Sequence, residues 1–413
     1  MSDASNNRRR DRRSAKRLFA VPFLTDFAAL LLIFTVSREL AEQGAGLARM
    51  GLVGGVLSVF SAVSSLGCGW ISDRIGRRHL ILGGIALLGG SALGCLLLTP
   101  CTLPYFAAYC AGGISFGMIY PALIAWLNQD NDSNGGATIS RTLIFFCLSW
   151  NAGLVAGQVT GGSLFRFNPQ WPLVLSICLA AVNFGLVFFV PRQLPGGAAP
   201  AVVVPTEAGT VARRAAQAFA VLGWIANLSS AFCISMVLHL FPQLMVLLGI
   251  RADLHGAMLG SMRVLVIAVY LLMHRSRFWH FRYSVALVAQ AAAMAGLAML
   301  IVARTPVGLL LGLAGVAVLA GYNYFASLYY SNMSRDDDRR GFASGMHEAT
   351  LTAGIAVGAM AGGLVGAAFG PRAPYELALA VVFGLTLLQA GIYWRYVRPR
   401  AGALFRSVGH VSS

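Results

Sequence analysis

Residues 67 to 82 read Gly67-Cys68-Gly69-Trp70-Ile71-Ser72-Asp73-Arg74-Ile75-Gly76-Arg77-Arg78-His79-Leu80-Ile81-Leu82, and the placing of charge in this stretch decides the class of fold. Upstream, Leu47 to Trp70 is almost free of charge; downstream, Leu80 to Thr99 is free of it altogether. Asp73, Arg74, Arg77 and Arg78 are therefore crowded between two apolar runs, each long enough to cross a bilayer. The stretch reads as a loop between two membrane spans, its glycines allowing close helix packing and a tight turn.

The rest of the chain has the same character. Hydrophobic residues make up 57% and charged residues 11%, where an ordinary soluble chain has about a quarter charged. That excludes a soluble enzyme or binding module and implies a polytopic membrane protein. The net charge of +16 does not point to nucleic acid, because the arginines sit between apolar runs and at the termini, where they meet anionic lipid headgroups. Seven cysteines are scattered, mostly within apolar runs, with no CxxC pair and no His cluster at metal spacing; they read as small packing residues. No GxxxxGK[ST] loop is present, which excludes an ATP-driven pump, and no metal or other cofactor is expected. The basic start of the chain, Arg8 to Arg17, lacks the apolar core and cleavage site of a secretory signal. It reads as a retained cytoplasmic tail, with an amphipathic organelle-targeting peptide as the alternative.

Apolar runs of about twenty residues mark about twelve spans, at 18–37, 47–70, 80–99, 103–127, 136–165, 171–191, 216–247, 253–273, 283–303, 306–333, 340–368 and 373–396. Alternate connections are rich in arginine: Arg74/Arg77/Arg78, Arg192 with Arg213/Arg214, Arg275/Arg277/Arg282 and Arg335/Arg339/Arg340. The positive-inside rule then places both termini in the cytoplasm. Between Pro191 and Arg213 the composition shifts to Pro, Gly, Ala and Val, as in a linker. The expected organisation is a tail at 1–17, a six-helix bundle at 18–191, a cytoplasmic linker at 192–215, a second six-helix bundle at 216–396 and a tail at 397–413. The two bundles echo each other: Gly117 to Asn128 aligns without gaps to Gly321 to Asn332, and Gly153 to Gly162 aligns to Gly354 to Gly363.

The opening stretch closely resembles the loop signature of the major facilitator superfamily, G-x-L-x-D-[RK]-x-G-[RK]-[RK], which joins that family's second and third helices. Gly69, Asp73, Arg74, Gly76, Arg77 and Arg78 fall on signature positions; Ile71, with Trp70, is the departure. The resemblance implies an all-α polytopic fold of twelve transmembrane helices in two pseudo-symmetric six-helix bundles. It also implies secondary active transport by alternating access, with substrate near the midplane. Asp73 is then expected to latch the cytoplasmic face against Arg339, Arg340 or the helix beginning near Gly341, with Asp130 and Asp132 as a second part of that latch or as plain solvated charges. Gly153 to Gly162 resembles the fifth-helix pattern of drug and proton antiporters, but Gln158 stands where they have proline and the fourth span lacks their arginine. Those departures weigh against antiport.

Ionisable residues within spans are the strongest candidates for function, since a charge in hydrocarbon needs a cavity or a partner. Asp26, Arg141, Arg263 and the pair His347/Glu348 qualify, and internal ion pairing is the structural alternative for all of them. Amides and rings on the fourth, seventh and tenth spans complete a candidate cavity: Tyr120, Asn227, Gln243, Tyr322, Asn323, Tyr324 and Tyr329, which equally suit packing or an interfacial belt. The expectation is a monomeric, proton-linked transporter of a small organic solute in the plasma or inner membrane, with a polar or anionic substrate preferred. A non-transporting sensor or scaffold, an efflux pump for amphipathic compounds, and a membrane enzyme are the alternatives.

Overall fold

The computed structural model describes residues 18–129, 136–190, 207–334 and 340–399. A few side chains inside helices, among them those at 69–70, 72–73, 128–129, 136–143, 207–214 and 340–344, lie outside that description. The helices in chain order are α1 (Ala20–Glu42), α2 (Leu47–Ile75), α3 (Arg77–Leu97), α4 (Leu103–Gln129), α5 (Gly136–Phe167), α6 (Gln170–Phe188) and α7 (Glu207–His239). A short α8 (Phe241–Leu247) follows, then α9 (Ala252–Arg275), α10 (Tyr283–Val302), α11 (Pro306–Met333), α12 (Arg340–Phe369) and α13 (Ala373–Ile392), which closes on a π-helical turn, Tyr393–Val397. Twelve of these are long and apolar enough to cross a membrane, and no strand occurs among the described residues.

The structure differs from the sequence reading in three places. The opening stretch is not a loop: α2 continues to Ile75, α3 starts at Arg77, and Gly76 alone separates them. At φ 89° and ψ 133° Gly76 occupies backbone space that L side chains rarely adopt. Hydropathy ended the span near Trp70 because charge begins there, yet a hydrogen-bonded helix need not stop at the hydrocarbon boundary. With 29 residues, α2 is about 44 Å long against a hydrocarbon core of about 30 Å. Residues 207–215, expected within the linker, are the first turns of α7, while 191–206 lie outside the described residues. The seventh apolar run breaks after His239, and Pro242 at the second position of α8 suits a helix start, where its missing N–H has no partner to lose.

The chain forms two compact units, residues 1–201 with 241–264 and residues 202–240 with 265–413. Within the first, α4 meets α2 at glycines: a Cβ on Gly113 would strike the Leu57 carbonyl, and one on Gly117 would strike Ser64 and Ser65. In the same unit α5 meets α1 the same way, Gly153 against the Phe23 carbonyl and Gly157 against Leu30 and the Phe27 carbonyl. The second unit repeats both contacts. Gly321 of α11 lies against Val266 and Val269 of α9, and Gly354 and Gly358 of α12 lie against Leu228, Ala231, Phe232 and Ser235 of α7. The sequence echo therefore marks equivalent small-residue seams, where absent side chains let backbones approach and dispersion contacts accumulate.

Candidate functional site

In the first unit the polar interior is built on α1. Asp26, 7% exposed, accepts a hydrogen bond from the Tyr120 hydroxyl of α4, and Arg263 of α9, 6% exposed, acts on the same carboxylate electrostatically. Pro121 follows Tyr120 inside α4, where it removes one helical hydrogen bond. One turn is thus loosened beside the acid. Next to Asp26, Thr25 accepts from Asn183 Nδ2 of α6 at 2.9 Å. Asp26 and Tyr120, both candidates from the sequence, are therefore brought together, and a third, Arg263, lies within electrostatic range. Gln243, on α8, is half-buried and its Oε1 has no hydrogen-bond partner among the described residues. The side chain of Arg141 lies outside the described residues.

The second unit has its own network. Asn227 of α7 donates from Nδ2 to the His347 carbonyl at 2.9 Å and to Thr350 Oγ1 at 3.1 Å, both on α12. His347 Nδ1 is 2.9 Å from Ser327 Oγ of α11, and the Tyr324 ring meets the imidazole edge-on at 4.7 Å. Asn227 Oδ1 and His347 Nε2, on residues that are both 0% exposed, have no hydrogen-bond partner among the described residues. Glu348 is half-buried on the same helix. Asn323 has both polar atoms engaged: Nδ2 donates to the Ala226 carbonyl at 2.8 Å, and Oδ1 accepts from Gln290 Nε2 at 3.3 Å. It ties α11 to α7 and α10. Sequence reasoning missed Gln290, Ser327 and Thr350. The rule that singled out Asn323, a lone amide in an apolar helix, applies equally to Gln290.

Of the signature residues, Arg74 is exposed and Arg77 half-buried. Arg78 donates to the Phe188 carbonyl and places its guanidinium 5.2 Å from the centre of that ring. It caps the C-terminal end of α6, where carbonyls lack helical partners and the helix dipole favours a cation. Gly69 lies on α2, as does the backbone of Asp73, while the Asp73 side chain is outside the described residues. Arg339 is outside them too, as are Asp130, Asp132 and the side chain of Arg340, whose backbone starts α12. At the equivalent place in the second unit, between α9 and α10, Trp279 is 1% exposed and donates from Nε1 to the Met273 carbonyl at 2.8 Å. His280 stacks on Tyr329 at 4.8 Å, and Phe281, at φ 55°, donates its backbone N–H to the Tyr330 hydroxyl at 2.7 Å. Burial, with Arg277 nearby, holds the His280 imidazole below its ordinary pKa.

Twelve apolar helices and repeated glycine seams define a multi-pass membrane protein of duplicated architecture. The Major Facilitator Superfamily model matches residues 18–336, and the chain belongs to that family. No curated protein sequence matches it. Among solved structures, the nucleoside transporter NupG is similar at 11% identity and TM-score 0.70, over 93% of this chain and 99% of that one. A bacterial homologue of the human lysosomal transporter Spinster is similar at 14% identity and TM-score 0.67, over 96% and 98%. The human organic anion transporter MFSD10 is similar at 15% identity and TM-score 0.62, over 92% and 99%. At such identities the likeness is one of fold.

Proposed function

We propose that this transporter moves a small polar organic solute by alternating access and is driven by protons. The observation that carries the reading is the hydrogen bond from the Tyr120 hydroxyl to the buried Asp26 carboxylate, with the Arg263 guanidinium within electrostatic range, inside the first unit. A carboxylate buried in a span and balanced between a hydroxyl donor and a fixed guanidinium is a group whose proton affinity changes when either neighbour moves, because Arg263 itself stays charged. The substrate groups favoured are hydrogen-bonding ones, since Asn227 Oδ1 and His347 Nε2 are buried without partners among the described residues, and an unmet buried polar atom costs about 1–3 kcal/mol. Glu348, beside His347, is the second candidate for carrying the proton. The positive charge of Arg263 favours a solute that also bears a carboxylate or phosphate. The similar structures act on nucleosides and organic anions by their own descriptions, so the shared fold admits both chemistries.

The test is transport in proteoliposomes of a solute first identified by thermal stabilisation of the purified protein. Asp26→Asn is expected to abolish accumulation driven by a pH gradient while solute exchange across the membrane persists. Glu348→Gln is the parallel variant. Wild-type accumulation and pH dependence in both would make these acids structural and refute the proton-linked reading.

A further inference from the structure

At the other end of the first unit from the α2–α3 connection, where α1 ends and α9 begins, a cleft of 490 Å³ is lined by Arg38, Glu42, Phe165, Arg166, Ile250 and Arg251, among others. Its charges do not balance. Arg38 pairs with Glu42 at 2.7 Å, while Arg166 and Arg251 share Asp253 at 3.1 and 2.5 Å, leaving three guanidinium groups against two carboxylates. Arg38 is 5% exposed; its Nη2 donates to the Ile250 carbonyl at 3.0 Å, and its Nη1 has no hydrogen-bond partner among the described residues. A buried charged donor left unmet is costly, and an oxyanion would meet it. The chain turn that presents the cleft is fixed by Gly249 at φ 67°, with Ile250 N–H donating to the Met245 carbonyl at 2.8 Å. Ala252, also in the lining, starts α9, so the positive end of a helix adds to the field of the arginines. A volume of this size suits a metabolite rather than a lone halide.

We propose that this cleft binds a carboxylate- or phosphate-bearing molecule through Arg38, Arg166 and Arg251, at a site separate from the interior acids and independent of the proton-linked reading. The planar fork of each guanidinium matches such oxyanions two bonds at a time, which a bare ammonium does not. The full-length protein, purified in an uncharged detergent, tests this by its thermal unfolding midpoint under titration with citrate or inorganic phosphate, ionic strength being held constant with chloride. A third arm titrates phosphatidylglycerol, whose headgroup carries the same phosphate chemistry. A saturable rise with citrate or phosphate marks a free solute as the source, and one with phosphatidylglycerol alone marks a lipid headgroup; either supports the site if it depends on the arginines. Arg251→Gln, whose side chain is 60% exposed and whose loss leaves the fold intact, is expected to raise the half-saturating concentration about tenfold, the loss of a charge-assisted pair. Arg49→Gln, exposed but outside the lining, is expected to leave it unchanged. No rise beyond the chloride control, or one that Arg251→Gln and Arg49→Gln leave equally intact, overturns the proposal.

Discussion

The α2–α3 and α9–α10 connections occupy equivalent positions in the two repeats and are held by opposite chemistries. The first is a single glycine flanked by arginines, with Arg78 satisfying the end of α6. The second contains neither glycine nor acid. It is pinned by an aromatic cluster in which Trp279 lies 5.0 Å from Tyr329, 5.8 Å from Tyr330 and 6.0 Å from Phe325. One connection depends on backbone freedom and charge, which salt screens; the other depends on ring packing, which salt barely touches. A duplicated fold can therefore keep its geometry while changing the forces that fix it.

Three experiments sharpen or break that contrast. Trp279→Ala has the largest expected effect, a loss of about 3–5 kcal/mol as for buried aromatic truncations elsewhere, read as a lowered unfolding midpoint of the purified protein; a loss below about 1 kcal/mol would remove the aromatic pin from the account. Gly76→Ala comes next. A side chain there meets nothing closer than His79 Nδ1 at 3.5 Å, so the penalty is backbone strain alone, about 1–3 kcal/mol, and an unchanged midpoint would show that the connection relaxes freely. The smallest effect is that of pH on His280. Because its folded-state pKa lies below the ordinary value, the unfolded chain binds the proton more readily, so the contribution of the neutral ring is complete above about pH 6.5 and is lost on acidification through the folded-state value. Wild type is expected to lose more stability than His280→Gln between about pH 8 and about pH 5; parallel curves would show that the stacked imidazole does not contribute.

Much of the fold is legible because the bilayer enforces it: runs of apolar residues must be helices, so the number of spans follows from hydropathy. Helix ends are less legible. The last turns of α2 and the first of α7 carry charge outside the hydrocarbon, where composition no longer reports backbone conformation. The site divides in the same way. That Asp26, Arg263 and Asn323 need partners follows from their setting, whereas the partners, Tyr120 for the acid and Ala226 with Gln290 for the amide, come from distant helices and emerge only once these are packed. Arg78 shows the same division. Its signature position is legible in the sequence, whereas its partner, the Phe188 carbonyl at the end of a neighbouring helix, is not.

The length of α2 bears on how deeply the protein sits in its membrane. A helix about 14 Å longer than the hydrocarbon is thick must either tilt or stand proud, and with Arg74 exposed in its last turn a proud end would place that guanidinium among phosphates. The arginine acts as a draught mark on a hull, opposing deeper immersion. Bilayers of different thickness then differ in how well they accept this chain, by fractions of a kcal/mol for each ångström of mismatch, and a thicker membrane is met by α2 standing more upright rather than by drawing its charged end inward.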